Sequence, residues 1–128
     1  MALLLVGCAA SDTRPNRRLD VPVHAVELVG TWLTSESMPD GKTMTLQFSL
    51  TQNRTFSGFA LLDGKSFWTY SGSWQVRGTQ VVWNYVNSSR APPEFLRTDT
   101  DDILDVEPDK LVLVSQLTGK RREFARSK

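Results

Sequence analysis

Few side chains in this 128-residue sequence are suited to chemistry, and their spacing points to binding rather than turnover. There is one histidine, His24, in the stretch Val21-Pro22-Val23-His24-Ala25-Val26, and one cysteine, Cys8. A single imidazole and a single thiol exclude an internal disulfide and a Cys/His zinc site. Nucleophilic or acid–base catalysis needs a base positioned beside its partner. The sequence contains no Gly-x-Ser-x-Gly elbow, no His-Glu-x-x-His pair and no phosphate loop. His24 reads as solvated. The acidic run Asp99, Asp101, Asp102 and Asp105 fails as a calcium loop: with Asp99 in first place, the sixth position is Leu104 and the twelfth is Lys110, where Gly and Glu are required. That run reads as a solvated face, and Lys120-Arg121-Arg122 as a turn and a final edge guarded by charge. Fifteen basic against fourteen acidic residues leave +1, so no field is set up to draw nucleic acid. Catalytic residues, metal ligands and cofactors are therefore expected to be none.

The binding candidates are aromatic. Trp32, Phe48, Tyr70, Trp74, Trp83 and Tyr85, with Phe56 among them, could line a pocket for a small apolar or amphiphilic ligand, with indole N–H and phenol groups orienting it. They could equally fill a small core. What decides is the architecture that holds them. Period-two alternation recurs along the chain: Met44, Leu46, Phe48 and Leu50 alternate with Thr45, Gln47 and Ser49. Strands are expected at Glu27 to Glu36, Met44 to Leu50, Thr55 to Leu62, Ser66 to Val76, Gln80 to Val86, Asp101 to Val106, Leu111 to Leu117 and Arg121 to Arg126. Asp63-Gly64 and similar pairs supply the turns between them. The stretch Asn87 to Arg97 contains Pro92-Pro93 and reads as a long rim loop, with a helical turn possible at Glu94 to Arg97. Eight strands with short connections predict an all-β fold, a small eight-stranded antiparallel up-and-down barrel. A two-sheet sandwich is the alternative.

Gly30-Thr31-Trp32 resembles the Gly-x-Trp signature of lipocalins and of the shorter lipocalin-like domains of bacterial lipoproteins, and the resemblance runs as a strand pattern from Glu27 to Arg126. It implies that Trp32 packs across the closed end of the barrel, that Gly30 gives the backbone room there, and that Arg126, at the end of the last strand, covers the tryptophan. A second copy, Gly72-Ser73-Trp74, lies inside the fourth strand. The family's disulfides and its helix before the final strand are missing.

Leu5-Val6-Gly7-Cys8 resembles the lipobox of bacterial lipoproteins, which implies lipidation at Cys8. On this reading residues 1–7 are a truncated signal-peptide remnant whose true start lies upstream. Residues 8–26 are the lipidated cysteine and a flexible linker, and 27–128 the barrel domain. Ala9 after the cysteine implies sorting to an outer membrane. The competing reading makes Cys8 part of a buried first strand. The expectation is a monomer in the bacterial cell envelope, held to the membrane by its lipid and facing the periplasm. The alternative is an inhibitor or protein-interaction barrel, without a ligand cavity, that meets an envelope protein through its rim loops.

Overall fold

The computed structural model describes residues 21–89 and 98–127. Cys8, the first part of the expected linker and the helical turn at Glu94 to Arg97 fall outside them. Eight strands follow one another: β1 (Gly30–Ser37), β2 (Thr43–Leu50), β3 (Thr55–Leu62), β4 (Lys65–Arg77), β5 (Gln80–Ser88), β6 (Thr98–Glu107), β7 (Lys110–Ser115) and β8 (Arg121–Arg126). Each pairs antiparallel with the next, and β8 returns to β1, so the sheet is a closed barrel. A strand that alternates apolar and polar side chains buries one face only when the sheet curls around that face. β2 does this, with Phe48 opposite Trp32 on one side and opposite Gly58 on the other. At Asp63-Gly64 both residues have positive φ, 50° and 80°, the geometry of a tight primed turn. The Asp63 carboxylate also accepts the Thr43 amide at 2.8 Å, tying this hairpin to β2.

Three irregularities break the alternation. The register skips one residue at each: Phe67 between β3 and β4, Val86 between β4 and β5, and Leu104 between β6 and β7. β5 runs on through Asn87 and Ser88, two residues assigned to the loop on sequence grounds.

The first expected strand begins later than the sequence suggested. Ala25–Leu28 form a 3-10 helix and β1 starts at Gly30, because Leu28 is needed as a plug. Its side chain is completely buried, and its carbonyl accepts the Trp32 indole N–H at 2.9 Å. Val23, within the stretch read as linker, is buried too, and its amide donates to the Gly78 carbonyl at 2.9 Å. Val23 thus docks this part of the stretch on the barrel end, while Val21 and Val26 stay exposed. The core fills this closed half with Leu28, Trp32, Trp74, Val81, Ile103 and Leu111.

Between β1 and β8 the ring closes on two residue pairs, Trp32 with Arg126 and Leu33 with Ala125. The Ser127 amide adds a hydrogen bond to the Thr31 carbonyl at 2.8 Å. Farther toward the open end the seam is spanned by side chains: Glu36 Oε1 receives both Lys120 Nζ and an Arg122 guanidinium nitrogen at 3.2 Å.

Candidate functional site

At the closed end the guanidinium carbon of Arg126 lies 4.2 Å from the centre of the Trp32 ring. The same guanidinium donates to the carbonyls of Val29 at 2.6 Å and Glu27 at 3.0 Å, and its Nε to that of Pro108. Gly30, with φ of 138°, sits directly beneath, where any Cβ would collide with the Arg126 guanidinium. The second motif is built alike. Arg54 lies 5.2 Å over the Trp74 ring, and a Cβ at Gly72 would strike the backbone carbonyl of Asn84. Two arginine-capped indoles therefore close one end, both rings buried in the core.

Among the described residues, the opposite end is open. A cavity of about 380 Å³ enters there, between the β7–β8 turn and the aromatic wall of β4 and β5. Trp68, Tyr70 and Tyr85 pack against one another along that wall, Trp68 and Tyr70 tilted with centroids 4.2 Å apart and Tyr70 and Tyr85 edge-on at 5.8 Å. Tyr70 reaches its place because Gly58 lies opposite it: a Cβ there would overlap the phenol ring. The floor is Phe48, set edge-on to Trp83 at 5.4 Å and to Phe124 at 5.0 Å. Leu46 and Leu113 complete the apolar lining.

Charge enters from three strands. Asp99 and Asp101, two apart on β6, both face inward and line the cavity with Lys120 and Arg122. The Trp83 indole N–H donates to Asp101 Oδ2 at 2.9 Å. Burial outweighs that bond and pushes the Asp101 carboxyl up to about 6, and burial raises Asp99 as well. Tyr70 is pushed up to about 12, and Tyr85 upward too, again by burial, so both phenols stay neutral. Glu36 goes the other way. Burial alone would raise it, but the hydrogen bonds from Arg122 and Lys120 hold its carboxyl below the usual range.

Of the six aromatic residues picked out as ligand contacts, the structure gathers Phe48, Tyr70, Trp83 and Tyr85 around one cavity. It sets Trp32 and Trp74 apart in the closed-end core, because they stand too deep along their strands to reach the open half. Trp68 was overlooked, although it shares the parity of Tyr70. Nor is the acidic run a solvated face: Asp99 and Asp101 point into the barrel, while Asp102 points out to Gln80 and Gln116. Lys120 and Arg122 likewise belong to the cavity mouth, and β8 is no free edge but a paired strand of a closed ring.

No family model matches this chain and no curated protein matches it. Among solved structures, a lipocalin-like protein from Bacteroides uniformis superposes with a TM-score of 0.55 at 19% identity, covering 79% of this chain and 99% of that one. Together with the closed eight-stranded ring, this makes the domain a lipocalin-like barrel.

Proposed function

We propose that this lipocalin-like barrel is a binding module that takes a small apolar or amphiphilic ligand into its open end. The observation that carries the reading is the cavity itself: about 380 Å³, walled by Trp68, Tyr70, Tyr85 and Phe48, with a few polar groups at fixed places. Pockets for small molecules have this size and this mixture of apolar wall and sparse polar anchors. A barrel that works only through its rim has no need of such a space. Thermal unfolding in the presence of a panel of small amphiphiles tests it. At least one class should raise the melting temperature in proportion to the logarithm of its concentration. Leu46→Trp, which fills the cavity, should abolish that shift. No shift with any class, or an equal shift in the filled variant, would refute the reading.

We further propose that the chain is a cell-envelope lipoprotein anchored through Cys8, in an outer membrane facing the periplasm. The motif Leu5-Val6-Gly7-Cys8 supports this. So does the docking of Val23 on the Gly78 hairpin at the closed end, since a tether leaving from that end would hold the mouth away from the membrane. Expressed behind a complete export signal, the chain should label with palmitate and Cys8→Ser should not. Labelling of the serine variant would refute the anchor.

A further inference from the structure

Among the described residues no ion pair joins the cations and the acids that line the cavity. Lys120 and Arg122 both pair with Glu36, each at 3.2 Å from the same carboxylate oxygen, and the Arg122 charge also acts on Asp101 from farther off. Asp101 accepts the Trp83 indole N–H and Asp99 the Thr100 amide, and neither has an ion-pair partner among the described residues. Both stand on the inner face of β6, about 6 to 7 Å apart along the strand. Asp99 is the cross-strand neighbour of Trp83, and Tyr85 follows two residues later on the same face of β5. Two carboxylates without an ion-pair partner among the described residues thus border a wall of three packed rings.

A buried carboxylate is costly unless a cation or several donors meet it. Aromatic faces add attraction for a cation within about 6 Å. An anionic ligand would meet the opposite situation. It could meet the buried Arg122 Nε, which has no hydrogen-bond partner among the described residues, but Glu36 already pairs with both Arg122 and Lys120, and two more carboxylates stand beside them.

We propose that the ligand of this cavity carries a protonated amine on an apolar body, the ammonium held by Asp99 and Asp101 and the body laid against Trp68, Tyr70 and Tyr85. This rests on the reading of the cavity as a ligand site. Burial raises both aspartates, and an ammonium held between them would lower them again.

Three probes of nearly equal shape separate the charge from the cavity: 2-phenylethylamine, 2-phenylethanol and phenylacetate, titrated calorimetrically into the chain at pH 7.5. The amine should bind at least tenfold more tightly than the alcohol, and the anion more weakly than either. In Asp99→Asn/Asp101→Asn the amine should lose that tenfold advantage while the alcohol keeps its affinity, which also shows that the variant remains folded. An alcohol or anion that binds as tightly as the amine would overturn the amine assignment and leave the cavity reading standing. An amine advantage that survives the double substitution would overturn the role of the two aspartates. Binding of none of the three at millimolar concentration would overturn both the assignment and the cavity reading.

Discussion

Asp101 and Glu36 both point into the barrel, yet acid should act on them in opposite directions. Asp101 titrates near 6 in the folded chain because burial disfavours its charge. Below about pH 3 it is largely neutral in folded and unfolded chains alike. As pH rises toward 6 the unfolded chain ionises freely and the folded one cannot, so stability falls across that window and stays lower above it. At roughly 1.4 kcal/mol per unit, the deficit at neutral pH is about 2 to 3 kcal/mol. Urea denaturation should therefore find Asp101→Asn more stable by about that amount at pH 7, and nearly unchanged at about pH 3. Glu36 is held low by Arg122 and Lys120, so its contribution is present above the ordinary glutamate range and is lost as pH drops through its folded value. Glu36→Gln should accordingly weaken the fold at pH 7 and leave it unchanged in strong acid. At the other end of the barrel, Arg126→Ala leaves three backbone carbonyls without their donor as well as uncovering Trp32. Its expected cost is about 2 to 3 kcal/mol. A double-mutant cycle with Trp32→Phe should assign about 1 to 2 kcal/mol of this to the ring contact.

Among the strands, β4 is held in the tightest geometry. A Cβ at Gly72 would meet the Asn84 backbone, which cannot move without undoing the irregular β4–β5 pairing at Val86. One at Gly58 would meet the Tyr70 ring, a side chain that can swing into the cavity. Gly72→Ala should therefore cost about 3 kcal/mol in thermal or chemical unfolding. Gly58→Ala should cost less and instead narrow the cavity, seen as weakened ligand binding. The irregular pairings also explain which parts of the site could be read in the sequence. β2 alternates without interruption, so the inward direction of Leu46 and Phe48 was plain. In β6, Ile103 and Leu104 are adjacent and both apolar, so alternation alone could not say which of them points inward. Counting back from Ile103 places Asp101 and Asp99 inside, while counting from Leu104 places Asp102 inside. The register skip at Leu104 is what settles the parity, and no local sequence signal marks it. Phe67-Trp68 poses the same ambiguity in β4, which is why Trp68 escaped notice.

For the molecule as a whole, strand number, order and closure followed from turn spacing, since eight short-linked strands have few ways to hide their edges. The cavity did not follow, because it depends on how far apart six rings and three leucines finally stand, a matter of packing volumes rather than pattern. The closure of the ring also has a consequence in time. Seven of the eight strand pairings join neighbours through hairpins or one longer connection. The eighth brings together residues as far apart as Val29 and Arg126, 97 positions along the chain. Closing so long a loop costs about 2 to 3 kcal/mol more than closing a five-residue turn, for only two residue pairs of ladder. The meander from β1 to β8 should thus assemble first as an open sheet and the ends meet after the rate-limiting barrier. In stopped-flow measurements Arg126→Ala should then raise the unfolding rate by roughly thirty- to hundredfold and leave the refolding rate within about twofold. A refolding rate that falls in step with stability would place the seam in the folding nucleus instead. In the native state, amide exchange at Thr31, Leu33 and Ser127 should be the first to lose protection, opening the barrel along the one line where it was last to shut.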